Sequence, residues 1–147
     1  MAFLNSMSVV GSGLTAQQLR LDVISENITN QNTTRTEAGG PYRRKVVTLQ
    51  SQDDLTPFQQ ALVRARGGRT DKGGVAVTAI EEDPSDFKLV YDPTNPDANA
   101  QGYVEMPNVD LVKEIAVAMA ASQAYSANVT AFNVLKQVAA KGLDIGK

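Results

Sequence analysis

The stretch IAVAMAASQAYSANVTAFNVL, residues 115–135, decides the fold of this 147-residue chain. It contains no charged residue, no proline and no glycine, so nothing within it interrupts a helix. Before it, Pro107 and Asn108 form a helix start signal with Asn108 as the expected N-cap, and Gly142 is the glycine expected just after the helix end. The sequence therefore predicts one helix of about 33 residues, which is about 50 Å long.

Both ends of the chain carry apolar residues at heptad spacing, which is typical of helices that lie along one another. Each pattern contains one polar residue, Gln17 or Ser122, and these two are candidates for setting the register. The predicted assembly seam of the N-terminal helix consists of Phe3, Met7, Val10, Leu14, Leu21, Ile24 and Ile28. The predicted assembly seam of the C-terminal helix consists of Leu111, Ile115, Ala118, Tyr125, Val129 and Phe132.

The long helix has more uncharged surface than one partner helix covers. A compact domain of this length is about 38 Å across, which is shorter than the predicted helix. A solvated helix normally carries charges on its outer face, so we expect this one to meet other chains on several sides. The alternative is a monomeric helical hairpin whose core is formed by the two seams.

Between the helices the sequence predicts a small β module. The polar segment ENITNQNTTRT, residues 26–36, ends the first helix, because Asn and Thr side chains compete for backbone hydrogen bonds. Gly39, Gly40 and Pro41 then form a turn. The other expected elements are strands at 42–50, 75–80, 87–91 and 103–106, a short helix at 57–66 and a loop at 64–74. The predicted class is α+β, with the long N- and C-terminal helices packed as an antiparallel, coiled-coil-like pair.

The composition argues against most enzyme chemistry. The chain has no histidine and no cysteine, which removes the commonest general base, thiolate nucleophiles, disulfides and sulfur-bound zinc. The carboxylates Asp92, Asp97 and Glu105, with Glu81, Glu82 and Asp83, could form an oxygen-ligand metal site or a carboxylate pair. Their spacing fits no calcium loop, however, and DPTNPD is typical of a turn. We predict no enzyme activity and no catalytic, cofactor or metal site.

Two classes of partner are also disfavoured. The basic cluster Arg43, Arg44 and Lys45 could bind phosphate together with Arg64, Arg66 and Arg69. No aromatic residue interleaves with these cations, so we expect no nucleic-acid binding. The longest apolar run, Ile115–Ala121, is far shorter than the roughly 20 residues that span a bilayer. The first cation is Arg20, and the N-terminus is a poor secretory signal. We therefore expect no membrane insertion.

Four stretches of the sequence resemble the bacterial flagellar axial proteins, and within them the basal-body proximal rod proteins of the FlgC type. They are SENITNQNTT (25–34), PYRRKVVTLQ (41–50), KLVYDPTNPDANAQGY (88–103) and the block from Gly102 to Lys147 that contains MPNVD. Thr29 stands where alanine is usual in the family. The residues that match the family motifs are Asn27, Asn30, Met106, Pro107, Asn108, Asp110 and Asn128.

The resemblance implies a structural subunit of the proximal rod, the drive shaft that transmits motor torque. It implies polymerisation with copies of itself and with neighbouring proximal-rod, distal-rod and ring-adaptor proteins. It further implies export from the cytoplasm by the flagellar type III apparatus and a place in the basal body, where the rod crosses the periplasm. The alternative function is a monomeric or oligomeric helical-hairpin interaction module that is not part of a flagellum.

The resemblance also implies a division of the chain. Segments 1–32 and 108–147 would be axial helices that together form an inner helical domain. Residues 33–107 would be a β-rich outer module with a variable loop at 51–74. In this interpretation the cations of the Arg43–Lys45 cluster, with Arg64, Arg66 and Arg69, pair with acidic groups of neighbouring subunits, such as Glu81, Glu82 and Asp83.

Overall fold

The computed structural model describes residues 2–51 and 73–145, together with residues 58, 61 and 65. This part of the chain has two long helices and four short strands, so the predicted α+β class is confirmed. The elements are α1 (Ala2–Thr29), β1 (Lys45–Ser51), β2 (Val75–Glu82), β3 (Lys88–Tyr91), β4 (Tyr103–Met106) and α2 (Leu111–Ile145). The predicted short helix at 57–66 and loop at 64–74 lie mostly outside the described residues. Within them, Phe58, Ala61 and Ala65 are helical and exposed.

The first helix ends where the polar segment begins, as predicted. The Thr29 hydroxyl donates to the carbonyl oxygen of Ser25 at 2.8 Å, and the Asn30 amide donates to that of Glu26 at 2.9 Å. Both side chains thus bind carbonyl groups of the last helical turn, and the Glu26 carbonyl also accepts the Asn30 N–H at 3.1 Å. The predicted turn follows, with Gly39 and Gly40 each at a φ of +83°, a backbone conformation that favours glycine.

The second long helix differs from its prediction at both ends. Asp110, not Asn108, is the N-cap, because its Oδ1 accepts the Val112 N–H at 3.1 Å and the Lys113 N–H at 3.4 Å. At the other end the helix continues through Gly142 to Ile145, and Gly142 does not adopt a positive φ. A glycine costs a helix only about 1 kcal/mol relative to alanine, and no proline follows it, so the helix does not stop there.

The two helices run antiparallel, as predicted. Gly13 of α1 lies against Asn128 of α2, so that a Cβ atom at residue 13 would stand 2.9 Å from the Asn128 Nδ2 atom. Further along α1, the Asn27 amide donates to Glu114 Oε2 of α2 at 3.1 Å. The contacts therefore advance along α1 as they go back along α2.

The four strands form two two-stranded sheets. One sheet pairs β1 with β2, and the other pairs β3 with β4 in antiparallel register, with Val90 opposite Val104 and Tyr91 opposite Tyr103. Strand β1 begins at Lys45, later than predicted, because Arg43 and Arg44 direct their polar groups to residues outside the sheet. Strand β2 continues to Glu82, and β4 has its predicted bounds.

The chain divides into two compact units. One comprises Met1–Leu19, Thr48–Ala79 and Ala121–Lys147, and the other comprises Arg20–Val47 and Ile80–Ala120. In the first unit the backbone N–H of Val75 donates to the Ser12 hydroxyl oxygen at 3.0 Å, which fixes the start of β2 on α1. In the second unit the buried apolar side chains are Val23, Ile24, Tyr42, Val104 and Val109.

Candidate functional site: helix surfaces and a polar junction

A buried polar cluster in the second unit joins the end of α1, the start of β1 and the start of α2. At its centre Asn27 is only 1% exposed. Its Oδ1 accepts hydrogen bonds from the Tyr42 hydroxyl and the Lys45 N–H, both at 2.9 Å. Its Nδ2 donates to the Lys45 carbonyl at 2.8 Å and to Glu114 Oε2 at 3.1 Å. We call this cluster the polar junction; its members are Asn27, Tyr42, Arg44, Lys45, Asp83, Asn108 and Glu114.

A buried charge is balanced within the polar junction. Glu114 is completely buried, and its Oε1 accepts the Arg44 Nε–H at 2.6 Å. Arg44 also pairs with Asp83 through its Nη1 at 3.2 Å, so one guanidinium serves two carboxylates. Breaking such a pair leaves a buried charge without its partner, which destabilises a fold by about 3–5 kcal/mol. The start of α2 is therefore held to the segment before β1.

The pKa values in the junction follow from these contacts. Burial raises the pKa of Tyr42 to about 12, with the nearby carboxylates of Glu26, Glu114 and Glu82 adding to the effect. Burial alone would lower the pKa of Arg44, but its bonds to Glu114 and Asp83 raise that pKa above the ordinary value. Hydrogen bonds from Ser85, and then from Arg44, lower the pKa of Asp83. At neutral pH Tyr42 is thus a neutral donor.

Asn108 connects three segments instead of capping α2. Its Oδ1 accepts the Arg44 N–H at 2.8 Å, and its Nδ2 donates to the Ser85 hydroxyl at 2.9 Å and to the Asp83 carbonyl at 3.1 Å. Nearby, the Arg43 guanidinium stacks on the Phe87 ring at 4.2 Å and donates to the Asp83 carbonyl at 2.9 Å. These bonds tie the segments on either side of β3 and β4 to the start of β1.

The expected pairing of the basic cluster with neighbouring subunits stays a prediction, but Arg44 and Lys45 already have acidic partners within the chain. Arg64, Arg66 and Arg69 lie outside the described residues. Arg44 binds Asp83 and Glu114 of its own chain, and Lys45 binds Glu26 at 2.6 Å. Asp83 was expected as a partner, but across an interface. The cations lie where the end of α1 and the ends of β2 and β4 converge, so they find acidic partners without a second chain.

The predicted seam of α1 faces the interior of the chain, since all seven of its residues are buried or half-buried. The predicted seam of α2 is split: Ala118, Tyr125 and Phe132 are half-buried, whereas Leu111, Ile115 and Val129 are exposed. The covered stripe of α2 keeps Ala118, Tyr125 and Phe132 but has Glu114, Ala121 and Asn128 where the heptad pattern has Ile115, Ser122 and Val129. Its other residues are Val117, Ala124, Leu135 and Ala139. The predicted role of these seams in assembly stays a prediction.

This difference between the predicted seam and the covered stripe has a simple physical cause. The covered stripe contains a glutamate and an asparagine, which a search for apolar periodicity passes over. The signal that could have found it is the position of Glu114, a single acid one turn before a run of alanines with no charge. The proposed register residues differ too: Ser122 is exposed, whereas the Gln17 Oε1 atom is buried and has no hydrogen-bond partner in the described part of the chain.

The exposed side of α2 is uncharged over most of its length. We call it the α2 outer surface, and its residues are Val112, Ile115, Ala116, Met119, Ala120, Ala127, Ala131, Val134 and Val138. The exposed side of α1 is different in character, with polar residues such as Ser8, Thr15 and Ser25. An apolar helix side of this kind normally packs against another protein.

Other kinds of site find no support in the part of the chain that the structure describes. None of its helices has the length and hydrophobicity that crossing a bilayer requires. Residues 2–51 and 73–145 also bring together no group of three acidic side chains that could hold a metal ion.

The remaining motif residues occupy defined places. Pro107 is fully buried next to the buried Val109, and Met106 ends β4. Asn30 closes α1, and Asn128 contacts Gly13. Four of the seven motif residues thus lie at a helix end or a contact between helices: Asn27, Asn30, Asp110 and Asn128. Tyr42, Arg44, Asp83 and Glu114 are the functional residues that the sequence interpretation missed as a group.

The sequence matches two family models and several full-length relatives. The family described as "Flagella basal body rod protein" matches residues 7–35, and "Flagellar basal body rod FlgEFG protein C-terminal" matches residues 100–145. The flagellar basal-body rod protein FlgC of Bacillus subtilis is 48% identical, over 100% of both chains. FlgC of Salmonella typhimurium is 40% identical over 100% of both chains, and FlgC of Aquifex aeolicus is 31% identical over 94% of this chain and 92% of its own. The chain belongs to the FlgC family of flagellar basal-body rod proteins.

Proposed function

We propose that this chain is a structural subunit of the flagellar proximal rod and that it assembles through the α2 outer surface. The observation that carries the proposal is that this surface is exposed and has no charged residue between Glu114 and Lys136. In water such a surface is unfavourable, and burying it releases about 25 cal/mol for each square ångström of apolar area. Its alanines also let a neighbouring helix approach closely.

The rod function requires stiffness and no chemistry. Helices transmit force along their axes because their backbone hydrogen bonds lie nearly parallel to them. In this chain the polar junction holds the two helices and the β segments together through buried bonds, so a load on one element passes to the others. We propose no catalytic role for the chain.

The layout within the rod follows from the same surfaces. We propose that the helical segments 1–32 and 108–147 form an inner layer and that residues 33–107 face outward. The neighbours would be further copies of the chain and the adjoining rod and ring-adaptor proteins, and the subunit would reach them through the flagellar type III export apparatus. The full-length similarity to FlgC proteins supports this layout.

The test is to place a charge on the α2 outer surface. Ala120→Asp and Ala127→Asp change exposed residues, so we expect the purified variants to keep their helix content, measured by circular dichroism. In the assembled rod each variant would bury a carboxylate without a partner, which costs several kcal/mol per contact. We therefore expect cells with either variant to lack complete rods and to be non-motile.

Two control variants separate assembly from folding. Ala100→Asp makes the same change in an exposed loop and should leave swimming unchanged. Ala121→Asp changes a residue that is 1% exposed next to Ala120, and it should unfold the purified chain. Normal swimming in the Ala120→Asp strain would contradict the proposed function.

The helical-hairpin alternative makes the opposite prediction. The inward-facing seam of α1 agrees with a hairpin core, but a chain that functions as a free hairpin needs no partner for the α2 outer surface. Such a chain would tolerate Ala120→Asp and Ala127→Asp in every assay.

A further inference from the structure

The hairpin formed by β3 and β4 has an exposed face that no other described part of the chain covers. The register places Leu89 opposite Glu105 and Tyr91 opposite Tyr103, and these four residues share one face of the hairpin. Leu89 is 63% exposed, Tyr91 64% and Tyr103 42%. The two tyrosine rings meet edge to face, with their centroids 5.3 Å apart. We call these four residues the hairpin face.

Two hollows adjoin the hairpin face and share Gly40, Pro41 and Glu105 in their walls. The first has a volume of about 410 Å³ and includes Tyr103, and the second has a volume of about 860 Å³ and reaches Phe87. Because they share these residues, they form one groove that passes Glu105.

The groove carries unbalanced negative charge. Glu37, Glu82 and Glu105 come from three different segments of the chain, and in the described residues their carboxylates have no hydrogen-bond or ion-pair partner. The cations that line the groove are already engaged. Arg35 pairs with Asp97 at 3.4 Å, Lys45 pairs with Glu26 at 2.6 Å, and Arg43 binds the Asp83 carbonyl. A ligand for this groove must therefore bring its own positive charge.

We propose that the hairpin face and its groove bind the basic segment RARGGR, residues 64–69, of a second copy of this chain. The segment has three arginines in six residues and no acidic residue, which complements the charge of the groove. A guanidinium stacks on aromatic rings and binds a carboxylate through two parallel hydrogen bonds, so it suits a surface that offers tyrosines beside Glu105. This inference rests on the proposed function, since it requires copies of the chain to lie side by side.

Cysteine cross-linking tests the proposal, because the chain has no cysteine of its own. Cells would make two versions of the chain, one with Leu89→Cys and one with Arg66→Cys, and basal bodies would be isolated under mild oxidation. We expect a disulfide-linked dimer that contains both versions, identified by mass spectrometry of the linked peptides. The matched control pairs Arg66→Cys with Ile80→Cys, which is 48% exposed on β2 and lies outside both the hairpin face and the α2 outer surface. Contact raises the effective concentration of the two thiols, so we expect at least about tenfold less dimer in the control.

A charge exchange provides a second, independent measurement. Glu105→Lys should slow swimming, and adding Arg66→Glu to the same chain should restore it, because the ion pair forms again with reversed signs. Normal swimming of Glu105→Lys, or equal dimer in the control pair, would overturn the inference. So would cross-linking that occurs only within one chain of a Leu89→Cys/Arg66→Cys double variant.

Failure of this inference is distinguishable from failure of the proposed function. Motile cells whose basal bodies contain both cysteine versions without a cross-link would refute the docking of residues 64–69 and leave the rod function intact. Failure of the rod function appears instead as normal swimming of the Ala120→Asp strain.

Discussion

Asn27→Asp replaces the side-chain NH2 group of Asn27, at the centre of the polar junction, with an oxygen atom. We predict that this change lowers the unfolding free energy strongly. The carboxylate keeps an oxygen that accepts from Tyr42 and Lys45. Its second oxygen takes the place of Nδ2, 3.1 Å from Glu114 Oε2. Two negative charges at that distance repel by about 5 kcal/mol at an effective dielectric constant of about 20. The bond to the Lys45 carbonyl, which needs a donor, is lost as well.

The carboxyl group introduced at residue 27 can take up a proton, and the cost of that protonation is the largest destabilisation that the repulsion can cause. The repulsion raises the pKa of that carboxyl, and holding the group protonated at pH 7, starting from an ordinary pKa of about 3.9, costs about 4 kcal/mol. We therefore expect the variant to lose about 4 kcal/mol of unfolding free energy at pH 7. When the pKa of an acid is higher in the folded state than in the unfolded state, the unfolding free energy of the protein falls as pH rises. Acidification to pH 5 should therefore restore about 2–3 kcal/mol of unfolding free energy.

The assay is urea unfolding of the purified chain at pH 7 and pH 5, followed by circular dichroism. Asn27→Ala is the matched control. It removes all four hydrogen bonds of the Asn27 side chain and leaves the Lys45 backbone groups without that partner, at a cost of about 2–4 kcal/mol, but it introduces no titrating group. Its loss should be the same at both pH values. If Asn27→Asp is as stable as the original chain at pH 7, or if Asn27→Ala shows the same recovery, the hydrogen-bond arrangement around Asn27 is refuted.

Three further predictions concern stability. Because burial raises the pKa of Tyr42 to about 12, its contribution to the unfolding free energy should be fully present below pH 10 and be lost between pH 10 and 12. The loss should be on the order of 1–2 kcal/mol after solvent screening. Tyr42→Phe should show no such loss when unfolding is measured across this pH range. Gly11→Ala, whose added Cβ meets no atom within 4 Å, should raise the unfolding free energy by about 1 kcal/mol. Gly13→Ala should raise it less, because the Asn128 amide must move to make room for the Cβ. Equal increases in thermal unfolding would contradict the close approach of the two helices at Gly13. Asp110→Ala should cost about 1 kcal/mol through loss of the α2 N-cap, while Asp110→Asn should be nearly neutral, and equal losses in urea unfolding would assign the cap elsewhere.

The sequence by itself determined the helices and the family. A run of 21 residues without charge, proline or glycine predicts a long helix wherever it is placed, and the polar segment after Ile28 predicts its end, because these are local effects of side chains on their own backbone. The MPNVD block and the segment around Asn27 carried the resemblance. The four strand positions also followed from local patterns, within a few residues at their ends.

Only the tertiary structure decided what the polar residues do. Asn108 was a reasonable N-cap from its neighbours in sequence, but Arg44 and Ser85, 64 and 23 residues away, bind its side chain, and Asp110 caps the helix instead. Asn27 and Glu114 are 87 residues apart, and no periodicity relates them. Apolar spacing shows which side of a helix avoids water, but it does not show which side meets its own chain. That choice depends on buried hydrogen bonds and ion pairs, whose free energy exists only when distant segments have come together.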